Sequence, residues 1–355
     1  MSELRINNIT DTAGSSGPII AGVSTVTSTS HMVMPSGPTE MRGGRGRGVF
    51  GTGYNNAPNS SLNSMQFVTI ATRGNTEDFG DLADSSIGKA SFGSATRGFF
   101  AGGDSVPGQA DNKAIEFTII SSSGGGNDFG DMSSTKAYLN GMSNDVRGFM
   151  VGGATTPEYV NQSTIEFVTM ASTGDATDFG DLSTITRSGS SAASNTRGIL
   201  QLGQTNPLPG NNLIEFITLS TLGNSQNFGE VSTLSKTGAA AVASSTRACF
   251  LAGTGTTGNG SHVSNVIDFV TISTLGNAQD FGDTTVAVSA LAGASNSTRG
   301  LHAGGRTGTP ASEALQDVIG FITIASTGNS QDFGDLVTPT RYLAGCSDSH
   351  GGLGD

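Results

Sequence analysis

Apolar residues occur along the chain in short clusters, and each cluster is bounded by residues that favour turns. The most regular cluster reads Ile-Glu-Phe-Val-Thr-Met at residues 165–170 and recurs with small changes at 115–120, 214–219 and 267–272. Short runs rich in β-branched and aromatic residues predict β-strands. A strand that is apolar at nearly every position is typical of a sheet buried on both faces. Gly-Asn pairs such as Gly328-Asn329 follow these runs and predict tight hairpin turns, because both residues tolerate positive φ.

The same pattern returns about every fifty residues, and a Phe-Gly-Asp motif marks each return. The fourth copy has Glu in place of Asp, and successive Phe residues are separated by 50, 50, 49, 53 and 52 positions. The six copies begin at Phe79, Phe129, Phe179, Phe228, Phe281 and Phe333. An arginine that opens the second strand of the repeat is in phase with them, at Arg47, Arg97, Arg147, Arg197, Arg247 and Arg299. A repeat of this length indicates the architecture of the whole chain more strongly than the secondary-structure propensity of any single segment.

Each repeat contains four strand signals, and four antiparallel strands in about fifty residues predict one blade of a β-propeller. The expected fold is all-β, with six four-stranded blades in residues 38–355 and an extended β arm in residues 1–37. Residues 340–347 repeat the first strand of a blade, and residues 350–354 resemble a shortened second strand. We expect residues 340–347 to complete blade 1 and so remove exposed sheet edges. A seven-bladed ring is the alternative, and it would need residues 4–26 to supply the missing strands.

Glycine pairs that end the second strand carry a resemblance to kelch-type repeats, and the arginine that opens the same strand is a second matching element. The pairs are Gly102-Gly103, Gly152-Gly153 and Gly304-Gly305. The resemblance covers residues 38–355 and implies a kelch-like β-propeller. The sequence departs from the kelch pattern in two ways. The tryptophan usual late in the blade is absent, with the Phe of Phe-Gly-Asp in its place, and Gly203 and Gly253 lack a glycine partner.

Composition narrows the classes of function. The formal net charge is −12 with 13% charged residues, which argues against the clustered basic surface of a nucleic-acid-binding protein. Residues 42–48 resemble an Arg-Gly RNA-binding tract, but Arg47-Gly48 is in phase with the repeat, so we interpret it as part of the repeat.

No apolar run is long enough to span a bilayer, and the first residues lack a secretory signal. Cys249 and Cys346 lie in predicted strands and are expected to be packed, reduced thiols.

Residues that could carry catalysis or bind metal are scattered through the repeats. The histidines occupy four different phases, and no pair has a metal-ligand spacing; they are His31, His262, His302 and His350. An acidic residue recurs in the third strand, and we expect it to pair with the repeated arginine of the second strand. The acids are Glu116, Glu166, Glu215 and Asp268. The carboxylates of Phe-Gly-Asp are expected to cap backbone N–H groups at the turn rather than to bind calcium.

We therefore expect no enzyme activity, no cofactor and no metal. A copper radical oxidase needs tyrosine and histidine ligands and a Tyr-Cys cross-link, and the chain has only four tyrosines, with its four histidines at different repeat phases. A glycosidase needs one special pair of carboxylates, and acids that repeat around a ring are not special.

The connections between the second and third strands differ among the repeats although the flanking strands recur. They span residues 54–64, 104–114, 154–164, 204–213, 254–266 and 306–318. All six should emerge on one face of the disc, and variable polar loops on a fixed scaffold are a common form of binding surface. The alternative is that the loops vary because nothing constrains them. The candidate receptor-binding residues are Tyr54, Asn55, Asn56, Tyr159, Asn161, Asn211, Asn212, His262 and Arg306.

The N-terminal sequence carries a second resemblance. Residues 4–9, 17–26 and 32–37 resemble the start of virion proteins of tailed phages, especially those of marine cyanobacteria. The repeats are similar to those of the same proteins in their Ile-Glu-Phe-Val-Thr-Ile, Gly-Asn-x-x-Asp-Phe-Gly-Asp-Leu and Thr-Arg-Gly segments. The resemblance implies a structural component of the virion, a tail fibre or tail-tip adhesin, that is made in the bacterial cytoplasm.

On this interpretation, residues 1–37 attach the protein to other virion proteins or form a homo-oligomer, with a trimer favoured. The propeller loops would contact a glycan or protein on the host surface, and several copies would let weak contacts sum. Nucleic-acid binding and membrane insertion are not expected. A capsid or tail decoration protein without receptor binding is the alternative, and a carbohydrate-active enzyme is a third hypothesis.

Overall fold

A computed structural model describes residues 19–20, 24–25, 46–56, 59–108, 110–205, 211–232, 235–257, 260–308 and 312–353. The chain divides into two compact units, residues 1–45 and residues 46–355. In the first unit, Ile19–Ile20 pairs antiparallel with Ser24–Thr25. The rest of the expected N-terminal arm, including His31, lies outside the described residues.

The second unit is a six-bladed β-propeller, as the fifty-residue period predicts. We number the blades 1 to 6 in chain order, and we count the strands of each blade from first to fourth, starting at the central channel. Antiparallel pairing joins the four strands of every blade in that order. The six four-stranded sheets are the predicted number, and the seven-bladed alternative is wrong.

The strands recur with nearly constant lengths. The first strands of blades 1 to 6 are Ala344–Ser347, Ala90–Gly93, Asn140–Ser143, Ser190–Ala193, Ala240–Ala243 and Ala292–Ser295. The second strands are Arg47–Asn55, Arg97–Ala101, Arg147–Val151, Arg197–Gln201, Arg247–Leu251 and Arg299–Ala303. The third strands are Ser60–Thr69, Ala114–Ile119, Val160–Thr169, Leu213–Thr218, Val266–Thr271 and Val318–Thr323. The fourth strands are Glu77–Ser86, Asn127–Asp131, Thr177–Thr186, Gln226–Glu230, Gln279–Asp283 and Gln331–Asp335.

Some connections between the second and third strands add short strands of their own. Ala154–Thr155 pairs with the third strand of blade 3. In blade 5, Thr254–Thr257 pairs with Gly260–Val263, and in blade 6, Arg306–Thr307 pairs with Ala314–Leu315.

Blade 1 is built from both ends of the unit. Its first strand, Ala344–Ser347, pairs antiparallel with Arg47–Asn55, so that the last strand of the chain completes the first blade. The carboxylate of Asp348 accepts hydrogen bonds from the amides of Gly46 and Arg47 at 2.6 and 3.0 Å. The prediction that residues 340–347 close a six-bladed ring is confirmed, with the strand itself beginning at Ala344.

The first strands line the central channel, and each contacts the first strands of both neighbouring blades. Small side chains permit this approach, and serine hydroxyls link the strands across blades. Ser191 donates to the Gly141 carbonyl at 2.9 Å, and Ser91 donates to the Gly345 carbonyl at 2.8 Å.

Residues 350–353 lie against the first strands that line the channel. Residues 350–354 resembled a second strand, but Gly351–Leu353 instead forms a buried 3-10 turn against the first strands of blades 3, 4 and 5. The His350 Nδ1 atom accepts the Gly352 amide at 3.1 Å, so the proton is on Nε2, which donates to the Gly93 carbonyl at 2.8 Å. The described residues form six complete blades, so this segment has no sheet to join, and Gly351 and Gly352 are buried.

Phe-Gly-Asp forms a β-bulge in the fourth strand of each blade. In blade 2, Ile115 lies opposite Gly130 and Glu116 lies opposite Asp128, which leaves Phe129 as the extra residue. A bulge re-aims one side chain without ending the pairing. Here it turns the Phe129 ring into the space between blades 2 and 3.

The glycine of the motif is required by conformation and by space. Gly130 has a φ of +148°, and a Cβ atom there would lie 2.5 Å from the carbonyl oxygen of Gly174 in the next blade. The Gly174 amide donates to the Phe129 carbonyl at 2.8 Å. The equivalent bond between turn and Phe-Gly-Asp recurs at all six junctions between blades. The motif therefore fastens each blade to the next.

The repeated arginines fasten the same junctions. Arg97 lies over the ring of Phe117 in its own blade at 4.6 Å and donates to the Met170 carbonyl of the next blade at 3.1 Å. All six arginines make both contacts.

The prediction that the third-strand acids pair with these arginines is wrong, and the strand register explains why. Arg97 lies opposite Ile119, whereas Glu116 lies opposite Phe100, three residues further along the strand. Glu116 instead meets Lys89 at 3.4 Å, and equivalent buried pairs form in blades 3 and 5. They are Lys136 with Glu166 at 2.5 Å and Lys236 with Asp268 at 2.9 Å. In blade 4, Glu215 accepts hydrogen bonds from Ser183 and Ser225.

The Phe-Gly-Asp carboxylates also differ from the expected backbone caps. The Asp131 carboxylate pairs with Lys113 at 2.8 Å, and the Asp181 carboxylate accepts from Ser163 at 2.9 Å. The cap is supplied by the neighbouring blade, since the Asp131 amide donates to the Asp175 carboxylate at 3.0 Å.

Candidate functional site

The disc has two faces with different connections. The variable connections from second to third strands emerge on one side, together with the connections that lead into the next blade. We call this side the loop face. The short turns between first and second strands and between third and fourth strands form the opposite side, the turn face. The six predicted loops therefore share one face, as the propeller topology requires.

A ring of six residues surrounds the channel mouth on the loop face. Each lies two positions before a first strand and has a φ between +50° and +64°. They are Gly88, Tyr138, Ser188, Gly238, Ala290 and Tyr342. We call them the mouth ring. Only two of the six are glycine, so four ordinary residues are held in the left-handed region, which is uncommon and clusters at functional sites.

Hydrogen bonds link the mouth ring into a closed circle. The Gly88 amide donates to the Tyr342 carbonyl at 3.1 Å, and the Tyr342 amide donates to the Ala290 carbonyl at 2.8 Å. The same bond continues through the other blades, except that Leu139 supplies the amide that donates to Gly88, at 3.3 Å. The ring fixes the positions of its two tyrosines relative to each other.

All four tyrosines of the chain lie on the loop face, at or beside the mouth ring. The Tyr138 ring is 5.5 Å from that of Tyr342 and 5.9 Å from that of Tyr159. Gly88 leaves room for this contact, since a Cβ atom there would lie 3.0 Å from the Tyr138 ring. Together with Tyr54, these residues form what we call the tyrosine cluster, and each is half-buried.

Arginines hold the tyrosine cluster through cation–π contacts. The Arg341 guanidinium lies 4.6 Å from the ring centre of Tyr54 and 5.3 Å from that of Tyr342. Arg187 lies 4.9 Å from the ring centre of Tyr159 and donates to its carbonyl at 3.2 Å. Such contacts restrict the rings before any partner binds.

Glu313 joins two arginines beside the cluster. Its carboxylate accepts from Arg306 at 2.6 Å and from Arg341 at 2.7 Å. Arg306 also lies 6.0 Å from the ring centre of Tyr342. Three arginines with one glutamate leave these groups with a net positive charge in an acidic protein.

The Tyr138 phenol remains protonated at ordinary pH. Burial raises its pKa, and the neighbouring Tyr342, Tyr159 and Asp104 raise it further. Tyr138 is therefore a neutral hydrogen-bond donor on an aromatic surface.

Three of the predicted receptor-binding residues belong to the tyrosine cluster or contact it. They are Tyr54, Tyr159 and Arg306. Asn56 is exposed in the blade 1 loop, and the Asn55 side chain donates to the Pro339 carbonyl at 3.2 Å. These residues lie on the loop face, in the sector of blades 6, 1 and 3.

Asn161, Asn211 and Asn212 make other contacts. Asn161 is buried and donates to the Gln204 carbonyl at 2.9 Å, and the Asn211 side chain accepts the Leu213 amide at 2.8 Å. Asn212 is half-buried, and its backbone carbonyl accepts the Val231 amide at 2.8 Å. His262 is within the strand Gly260–Val263, and its side chain lies outside the described part of the structure.

Sequence reasoning missed Tyr138, Tyr342, Arg187, Arg341 and Glu313 as site residues. Tyr138 and Tyr342 precede a first strand by the same two positions, so the repeat phase was an available signal. Their mutual contact across the channel mouth was not, because it spans blades 1 and 3.

Three further observations concern metal ligands, membrane-spanning helices and the two cysteines. Within the described ranges, no three His, Cys, Asp or Glu side chains are grouped as metal ligands, and no helix there has the length and apolarity to cross a bilayer. Cys249 and Cys346 are buried free thiols, as predicted, and burial raises the pKa of each to about 12.

Comparisons with known proteins assign no family to the chain. A scan against protein-family models finds no match, and a search of curated proteins finds none.

Proposed function

We propose that the protein is a non-enzymatic virion protein of a tailed phage, a tail fibre or tail-tip adhesin, that binds a host surface polysaccharide through its loop face. The observation that carries this proposal is the gathering of all four tyrosines around one channel mouth, with three arginines against them. The chain contains no tryptophan, so these rings are its largest polar aromatic groups.

The tyrosine cluster and its arginines have the chemistry of a sugar-binding site. Tyrosine offers a flat apolar face and a hydroxyl group, and its two side-chain torsions cost little entropy when a contact forms. Tyrosine and arginine are also the residues that most often dominate binding energy at interfaces. The rings are already restricted by their arginines, which lowers the entropic cost of binding. The three arginines are donors that suit carboxylate, sulfate or phosphate groups on a polysaccharide.

The virion assignment is supported by the sequence resemblance of residues 4–37 and of the repeats to tailed-phage virion proteins. We propose that residues 1–37 attach the protein to other virion proteins and assemble it as a trimer. Multiple copies would convert weak binding at each loop face into useful avidity. Deletion of residues 1–37 should leave a folded propeller that no longer enters particles.

Binding of the full-length protein to marine cyanobacterial cells and to their extracted surface polysaccharides tests the proposal. Tyr138→Asn and Tyr342→Asn remove both central rings, and asparagine tolerates the positive φ of the mouth ring. We expect at least tenfold weaker binding by the double variant. Leu222→Ala, an exposed residue in a third-to-fourth-strand turn on the turn face, is the matched control and should bind as the wild type does.

Three other outcomes would contradict parts of the proposal. Binding that is lost when cells are treated with protease would indicate a protein receptor. Release of sugar fragments from the polysaccharide would indicate a carbohydrate-active enzyme. Normal particle incorporation with no cell binding by any preparation would favour a decoration protein.

A further inference from the structure

Two aspartates face each other in the variable connection of blade 2. Asp104 and Asp111 are directly opposite in an antiparallel bridge. The neighbouring pairs carry the backbone bonds, from the Asn112 amide to Gly103 at 2.8 Å and from the Ser105 amide to Ala110 at 3.3 Å. Asp104 and Asp111 are therefore the non-hydrogen-bonded pair between them, the arrangement that brings opposite side chains closest. Their Cβ atoms are expected about 5 Å apart on one face of the ribbon.

Three of the four carboxylate oxygens of this pair have no hydrogen-bond donor among the described residues. Asp104 is 1% exposed, and neither of its carboxylate oxygens accepts a hydrogen bond. The nearby Ser105 amide donates its hydrogen bond to the Ala110 carbonyl instead. Asp111 has one oxygen held by the Thr156 amide of blade 3, and its other oxygen has no donor. Among the described residues, no ion pair joins a lysine or arginine to either carboxylate, and buried unpaired charge is strongly unfavourable.

The lysines near this loop are already paired. Lys89 is bound to Glu116 at 3.4 Å, and Lys136 is bound to Glu166 at 2.5 Å. The acid is also not a feature of the repeat. The residues equivalent to Asp104 in the other blades are Tyr54, Ala154, Gln204, Thr254 and Arg306. The pair is therefore a local feature of blade 2, beside the tyrosine cluster.

We propose that Asp104 and Asp111 bind a divalent cation, preferably Ca²⁺, on the loop face beside Tyr138. Carboxylate oxygens are the ligands that calcium prefers, and its flexible coordination accepts two side chains with the remaining positions filled by water. Magnesium requires near-ideal octahedral geometry and fits a two-residue site less well. The pKa values agree with an uncompensated pair, because burial raises that of Asp104 to about 6, with a further contribution from Asp111, and burial also raises that of Asp111. This cation site is independent of the proposed receptor binding.

Terbium luminescence tests the site in the full-length protein. Tb³⁺ occupies calcium sites and emits when a nearby aromatic ring is excited, and without tryptophan the donor must be tyrosine. Tyr138 is close enough to Asp104 for that charge to raise its pKa. We expect sensitised emission that Ca²⁺ displaces and that Asp104→Asn and Asp111→Asn each reduce at least tenfold. Asp332→Asn removes an exposed carboxylate from blade 6 and should leave the emission unchanged.

Thermal unfolding with Ca²⁺ or with a chelator gives a readout that does not depend on luminescence. Ca²⁺ at about ten times its dissociation constant should raise the Tm of the wild type by about 2 °C and leave that of Asp104→Asn unchanged. In chelator, Asp104→Asn should be at least as stable as the wild type, because the substitution removes the repulsion. The proposal is overturned if Ca²⁺ does not shift the wild-type Tm, or if it shifts Asp104→Asn equally.

Discussion

The guanidinium of Arg97 in blade 2 donates a hydrogen bond to the carbonyl oxygen of Met170 in blade 3 at 3.1 Å. The same group lies over Phe117, 4.6 Å from the ring centre, so one side chain connects two blades. Repeated at six junctions, this contact resists the opening of the ring at every blade boundary.

Arg97→Met should lower the free energy of unfolding by about 1–3 kcal/mol. The methionine keeps an apolar contact with Phe117, but the hydrogen bond to Met170 and the cation–π contact are lost. The shift of the urea midpoint measures the effect. Lys113→Met, which removes an exposed ion pair with Asp131, is the control and should change stability by less than about 1 kcal/mol. Equal effects of the two substitutions would contradict the assigned role of the arginine.

Gly130→Ala should be among the most damaging single-methyl additions in the protein. The new Cβ would meet the Gly174 carbonyl oxygen at 2.5 Å, and the φ of +148° is unfavourable for alanine. We expect a loss of more than about 2 kcal/mol or failure to fold, as measured by thermal unfolding and soluble yield. Gly124→Ala is the matched control, because a Cβ there meets nothing within 4 Å. A folded Gly130→Ala protein with a wild-type Tm would show that the bulge does not need glycine.

Lys136→Met should destabilise the protein by about 3–5 kcal/mol, because it leaves the Glu166 carboxylate buried without its partner. Adding Glu166→Gln to that variant should recover part of the loss.

Burial opposes ionisation of Glu166, but Lys136 and Ser133 together lower its pKa below the ordinary value. The pair therefore stabilises the wild type above the ordinary carboxyl pKa, and that stabilisation is lost as the pH falls further. Denaturant unfolding of the single and double variants at pH 7 measures the coupling; equal stability of the two would contradict it.

His302 should make stability fall under mildly acidic conditions. It is buried beside Ser330, 3.3 Å away, and burial lowers its pKa to about 4. The unfolded chain then binds more protons than the folded one below about pH 6.5, so stability falls as the pH drops from there toward 4. The contribution is about 2 kcal/mol between pH 7 and pH 5.

His302→Leu removes that dependence without adding much volume. The equivalent residue in blade 4 is Leu200, which lies opposite Glu215 as His302 lies opposite Gly320. Asp104, whose pKa is raised to about 6, acts in the opposite direction and favours the folded state as the pH falls. We therefore expect the urea midpoint at pH 5, relative to that at pH 7, to be higher in the variant than in the wild type. An unchanged difference would assign the acid sensitivity to other groups.

The repeat period predicted the blade number and the closing strand, because six copies of one pattern plus a lone first strand leave few topologies. Phe129 and Arg97 were recognised as recurring, but their contacts lie between blades and depend on register. The register places Arg97 opposite Ile119 and Glu116 near Lys89, and no local pattern reports that choice.

The candidate site was less predictable for a related reason. Tyr54 and Tyr159 are in the variable loops and could be named from the sequence. Tyr138 and Tyr342 are more than two hundred residues apart and meet only because the ring closes and Gly88 leaves space between them. A contact between residues of different blades, such as this one, can be recognised only from the three-dimensional structure of the closed ring.

Ring closure can be measured directly with a disulfide between the two ends of blade 1. Val49 lies directly opposite Cys346, a separation compatible with disulfide geometry. Val49→Cys in a Cys249→Ala background should oxidise within a single chain, with mass spectrometry linking the peptides that contain positions 49 and 346. The same background with Cys346→Ala is the control and should form no such link. A link found only between chains would contradict a propeller closed by its own last strand.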